Sequence, residues 1–158
     1  MNKVVDRLSA SGFVLPPCPP PGGNYAGAVQ SGRLVFLSGA IGTQYKDGAW
    51  SLPFRGALGG ELDVDSGRAS ARLCVLNHLA ALQEHLGDLE RVKQVVKLTG
   101  YVYSTPDFTK APLVLDAASD LLVMAFGDPI GRHARVAAYQ HTMSFRAPIE
   151  TELLVEVD

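Results

Sequence analysis

Three short stretches of this 158-residue chain hold residue types that can do chemistry. GRHAR, residues 131–135, sets Arg132 and Arg135 around His133 where an irregular loop gives way to a strand. An arginine on the rigid start of a strand can clamp a carboxylate with two parallel N–H bonds. The same residues also read as an ordinary surface ion pair, which contributes little. IETELLVEV, residues 149–157, puts Glu150, Glu152 and Glu156 on one side of an alternating strand. On a solvated face these are solubilising charges. On a face that lines a cleft, Glu150 can hold or activate water. GNYAGAV, residues 23–29, and LSGAIG, residues 37–42, offer the hydroxyls of Tyr25 and Ser38 among glycines that let a ligand approach the backbone. Turn chemistry around a hairpin would use the same residues.

Other chemistries lack their signatures. There is no GxxxxGK[ST] loop and no GxGxxG after a strand, which argues against a phosphate-cradling nucleotide enzyme. HExxH, CxxC, an EF-hand loop and a GxSxG elbow are also missing. His78 and His85 stand seven residues apart on one helix, too far for an ordinary shared metal, and read as surface or helix-end histidines. Cys74 reads as a small core residue and Cys18 as an exposed thiol. No shared metal site is expected from these residues.

Those residues must be positioned by a single small domain. The chain is 47% hydrophobic and 19% charged, a globular composition with enough apolar surface for its own core. A net charge of −2 argues against a strongly basic nucleic-acid binder. No apolar run approaches the roughly 18 residues of a membrane span. The start, MNKVVDRLSASGF, lacks the apolar segment of a secretory signal. A cytoplasmic protein with reduced thiols is the expectation.

Residues 1–25 read as a short amphipathic helix to Ser11 followed by a proline-rich arm, LPPCPPPGGNY, that forbids helix and sheet interior. Residues 26–158 read as one domain. Strands are expected at 26–29 and 34–38, then an irregular loop over 39–62 with one short strand near Leu52–Phe54. A helix follows from Asp63 to Leu86, ended by Gly87. The Val- and Tyr-rich run 92–104 reads as a strand in which Gly100 marks a bulge or a close approach. A second helix is expected over 108–126 with Pro112 in its first turn, and a closing pair of strands at 134–141 and 149–157. Two long helices on one face of a mixed sheet make an α+β layer protein. No third long helix remains for the second face, whose strands are also apolar, so other subunits are expected to cover it.

Taken in order, GNY, LVFLSG, LCVLNHLAAL, LGDLERVKQVVKLTGYVYSTPDF, GRHARVA and IETELLVEV resemble the RidA/YjgF family. The closer likeness is to its chorismate-mutase-like branch, described as "putative endoribonuclease". The resemblance spans residues 15–157. It implies a homotrimer with ligand clefts between subunits, and cofactor-free hydrolysis of reactive 2-enamino and 2-imino acids to 2-oxo acids and ammonia. It implies that Arg135 grips the substrate carboxylate and that Glu150, fifteen positions on, positions the attacking water. Tyr25 and Ser38 match cleft-lining positions. Deaminases carry Ser-Cys or a similar pair after the arginine; Val136 and Ala137 stand there instead, and the Ala137 backbone N–H remains to contribute. A trimer that only captures small carboxylate metabolites is the alternative, and the charge counts against an RNA-cleaving protein. No membrane partner is expected.

Overall fold

The computed structural model describes residues 2–158, so Met1 of the expected first helix lies outside the described residues. Helix α1 (Lys3–Ala10) is capped by Asn2, whose side-chain oxygen accepts the N–H groups of Val4 and Val5. Val4 and Leu8 are buried and seat this short helix on the main core.

A five-stranded sheet organises the rest, in the order β1-β2-β7-β5-β6. Its strands are β1 (Ala28–Ser31), β2 (Leu34–Ile41), β5 (Val92–Tyr103), β6 (Ala134–Gln140) and β7 (Ile149–Val157). All neighbours are antiparallel except β5 and β6. The two closing strands therefore do not pair with each other: β7 enters between β2 and β5, and β6 takes the edge. A parallel neighbour needs a crossover, and α3 (Ala111–Phe126) supplies it between β5 and β6.

The expected irregular loop holds a second small sheet. Its strands are β3 (Gln44–Lys46) and β4 (Ala49–Ser51), not a strand at Leu52–Phe54. The turn between them is Asp47-Gly48, with φ of 52° and 82°. An Asp-Gly pair that accepts positive φ at both positions matches the twist of a two-residue hairpin. Tyr45 and Trp50 face each other across it, ring centroids 5.3 Å apart.

Helix α2 (Val64–Leu86) begins where Asp63 accepts the Ser66 N–H at 2.8 Å and ends at Gly87, which takes the left-handed conformation with φ 78°. Helix α3 starts at Ala111, three residues after its expected start, because Phe108 N–H turns back to the Thr105 carbonyl. Both helices lie on one sheet face, over Val35, Leu98, Val102, Ile149, Leu153 and Val155. Gly100 is the close approach its position suggested: a Cβ there would run into the Leu115 side chain of α3. Cys74 is a core residue, while Cys18 is half-buried rather than exposed, its thiol pushed up to about 11, chiefly by burial.

Among the described residues no helix lies on the second sheet face. Val29, Phe36 and Val136 project from it and are 55%, 49% and 44% exposed. Among the described residues no helix is long and apolar enough to cross a membrane.

Candidate functional site

The site grows from an irregularity in β2. Leu37 pairs with Leu153 and Ala40 with Thr151, so Ser38 and Gly39 together oppose the single residue Glu152. Such a bulge bends a strand and re-aims its side chains. Beyond it Ala40 and Ile41 keep their pairing with β7, while the register with β1 goes no further than Leu37. Ser38 is held by its N–H on the Gly27 carbonyl (2.9 Å) and its hydroxyl on the Ala26 carbonyl (2.6 Å). Its oxygen can still accept.

A cavity of about 400 Å³ opens beside this bulge. The proline arm walls one side through Pro19, Pro20 and Pro21, and Tyr25, Ser38 and Glu150 face into it. Three sequence-predicted site residues thus meet. The Tyr25 hydroxyl accepts the Gly22 N–H at 3.1 Å, which folds the arm over the opening. The Glu150 carboxylate packs directly on Gly39, where a Cβ would collide with it. This explains the glycine after Ser38 better than turn chemistry does. Glu150 is half-buried, and burial first, then the Glu152 charge, pushes its pKa above the usual carboxylate range. Tyr101 donates to Glu152 at 3.2 Å and occupies the neighbouring acid.

His78 and Asn77 of α2 also line the cavity, the first of them misjudged from sequence and the second not singled out there. His78 is neither surface nor helix-end: it is 2% exposed, with Nε2–H donating to the Thr151 carbonyl at 3.0 Å and lying 2.9 Å from its hydroxyl. Burial lowers its pKa to about 4, so it is neutral. Asn77 donates to the Ile41 and Thr43 carbonyls and the Thr43 hydroxyl, each at 3.0 Å, and pins the end of β2 to α2. A polar pair, Asn-His, inside the apolar run LCVLNHLAAL was the available signal. Phe145 also lines the cavity and was not foreseen; it sits in a turn with φ 57° and is 70% exposed.

The His78 environment predicts a pH dependence. Its folded value of about 4 lies below the 6.5 of an unfolded histidine, so the unfolded chain takes up the proton first. The stability is fully present above about pH 6.5 and is lost as pH falls towards 4. Melting curves across that window should show a loss of a few kcal/mol that is absent from His78→Gln. Equal slopes in both proteins would remove His78 as the cause.

Arg135 and Ala137 lie elsewhere. Arg135 pairs with Leu98 of β5, on the helix-covered face, whereas Glu150 alternates with the buried Ile149 and Thr151 and so points to the other face. Strand β5 separates them. One chain does not bring Arg135 to Glu150. The guanidinium is held instead by α3: Nη1 donates to Asp116 (2.8 Å) and Ser119 (3.1 Å), and Nη2 to the Pro112 carbonyl (3.3 Å). His133 Nδ1 must donate to the Gly131 carbonyl (2.7 Å), since that oxygen only accepts. In the neutral ring Nε2 then accepts the Ser119 hydroxyl (3.0 Å), whose oxygen accepts from Arg135. These bonds hold both Nη nitrogens of the fork. The Nε–H has no partner among the described residues. Arg132, by contrast, is an exposed ion pair with Asp128 at 2.6 Å. Among the described residues no three His, Cys, Asp or Glu side chains converge as metal ligands would.

Residues 5–157 match the family described as "YjgF/chorismate mutase-like, putative endoribonuclease". The chain belongs to this family. Protein TCP17 of Trypanosoma cruzi is 39% identical over 157 residues, covering 99% of this chain and 96% of that protein. A crystal structure described as a putative endoribonuclease, from Shewanella oneidensis, superposes on this YjgF-family fold with a TM-score of 0.91 at 33% identity. It covers 99% of this chain and 100% of that one. A protein of unknown function from Agrobacterium tumefaciens gives 0.88 at 36% identity, over 98% of this chain and 92% of its own. The α+β fold of RidA/YjgF proteins, with its helices on one side of a mixed sheet, is thus shared along nearly the whole chain.

Proposed function

We propose that this YjgF-family protein hydrolyses small 2-imino acids, and the 2-enamino acids that tautomerise to them, in a cleft completed by a second copy of the chain. The observation that carries this reading is the Glu150 carboxylate, half-buried on Gly39 in a cavity whose histidine, His78, is buried and neutral. A lone desolvated carboxylate has the character of a base, and a water beside it is its natural partner.

The chemistry asks little more. An imine carbon is already electrophilic. As water adds to the carbon of the protonated imine, Glu150 takes one proton from the water and the nitrogen becomes a neutral amine on a tetrahedral carbon. Glu150 returns that proton to the nitrogen, which leaves as ammonia, and the hydroxyl gives up its remaining proton through Glu150 to solvent as the C–O bond becomes the carbonyl of a 2-oxo acid. Holding the substrate carboxylate fixes the imine carbon beside the water. Arg135, with both Nη nitrogens anchored and its Nε–H unpaired, supplies that hold. Ser38 and Tyr25 line the cavity as acceptors and donors, and Ala137 lies two residues along β6 from Arg135, on the same face.

Arg135 and Glu150 are on opposite faces of one sheet, so a site that uses both draws them from different copies. The uncovered sheet face, with Val29, Phe36 and Leu154, offers the apolar surface for that assembly. We expect a homotrimer, three times the 16.8 kDa of one chain by light scattering. Phe36→Asp should convert it to monomer, because a charge would be buried in the interface. A wild-type protein that elutes as a single chain overturns the assembly.

The direct test generates 2-aminoacrylate and related imines in solution and follows their decay with and without the protein. Faster release of 2-oxo acid supports hydrolysis. Unchanged decay together with saturable binding of a 2-oxo acid would make the chain a binder without turnover.

A further inference from the structure

A second cavity, of about 530 Å³, lies between the arm, the β3–β4 hairpin and α2. Its helix wall is the stripe Ala69, Arg72, Leu73 and Leu76, at the i, i+3, i+4, i+7 spacing that shares one face. Phe13 and Val14 of the arm, Tyr45 of the hairpin and Phe54 complete apolar walls. Val14 is 82% and Tyr45 41% exposed, so these walls are open to solvent.

Among the described residues Arg72 is the one charged member of the lining. It is half-buried. Among the described residues it has no carboxylate within 4.0 Å, donates no side-chain hydrogen bond and faces no ring in a stacking contact. Its helix neighbour Arg68 is tied to the Leu113 carbonyl at 2.5 Å, and Arg135 is tied three ways. A half-buried guanidinium beside aromatic and aliphatic walls, with its planar fork unmet, complements an anion that also has an apolar part.

We propose that this cavity binds a small amphiphilic carboxylate, an aryl or branched-alkyl group against Phe13, Phe54 and Leu73 with its acid group on Arg72. A single planar fork matches a carboxylate, and walls so apolar do not suit a polyphosphate. The site is independent of the reaction assigned to Glu150. It is separated from that cavity by Asn77 and Thr43, which line both.

Isothermal titration of the full chain with 3-phenylpropionate tests this, with the neutral 3-phenylpropionamide as comparison. Saturable binding of one acid per chain is expected, weakened about tenfold or more by Arg72→Gln and by the amide, since each removes a charge-assisted contact. Phe13→Ala should weaken both probes alike, because it removes apolar wall. Arg135→Ala and Glu150→Gln should bind as wild type. Binding that survives Arg72→Gln, or that disappears with Arg135→Ala, overturns the site. So does the absence of binding at millimolar probe, which would leave Arg72 as an arginine stem lying on apolar surface.

Discussion

Arg135→Ala should lower kcat/KM for imine hydrolysis by about 100-fold, the loss of a charge-assisted two-pronged contact of roughly 3 kcal/mol. The effect should fall mainly on KM, because the carboxylate is gripped before and during the reaction. The fold should tolerate the change. Asp116, which loses its partner, is half exposed and stays solvated. Light scattering should still find the wild-type assembly. Arg135→Lys should recover little, since an ammonium keeps the charge but not the planar fork. Ser119→Ala is a milder version: it cuts one of the Nη1 bonds and the link to His133, so KM should rise without a change in the basal assembly. A wild-type rate in Arg135→Ala would remove this residue from the mechanism and leave Glu150 to be explained alone.

Glu150→Gln separates turnover from binding. The amide keeps the shape that packs on Gly39 but cannot take a proton from water. Turnover should fall by about 10²- to 10⁴-fold while a 2-oxo acid still binds. Two pH effects accompany it, and their signs differ. Catalysis needs the ionised carboxylate, so activity should decline as pH falls through a pKa raised above the ordinary glutamate range. Stability runs the other way. The folded state holds this proton to higher pH than the unfolded chain, so the group is neutral in its effect below the unfolded pKa and destabilising once pH rises through the folded one. At neutral pH Glu150→Gln should therefore melt no lower than wild type, and higher if burial of the charge dominates. An inactive variant that also melts well below wild type would point to a structural role for the carboxylate instead.

Much of this frame was readable along the chain. The alternation of IETELLVEV placed Glu150, Glu152 and Glu156 on one face, and the structure keeps them there. The helix boundaries at Asp63, Gly87 and Gly127 follow from local capping chemistry. Glycine at 100 announced a close approach, and Leu115 provides it. These are short-range effects, decided by a residue and its near neighbours.

His78 shows where local reading stops. A histidine on a helix is polar by type, and only the sheet packed against it makes it a buried, neutral donor to Thr151. The same limit explains the closing strands: sequence order makes β6 and β7 look like a pair, while the chain threads β7 between β2 and β5. The Asp47-Gly48 hairpin was a local signal in plain view, masked by the glycines around it.

Capping, alternation and turn chemistry act over a few residues, so the long helices, the main strands, the family and the cast of polar residues were legible along the chain. Which of them meet follows from the packed fold. Tyr25, Ser38 and Glu150 converge beside the arm where a bulge shifts the register of β2 on β7, and Arg135 turns to α3 because the parallel register with β5 sets its face. Such meetings depend on contacts far apart in the chain, whose geometry no local pattern encodes.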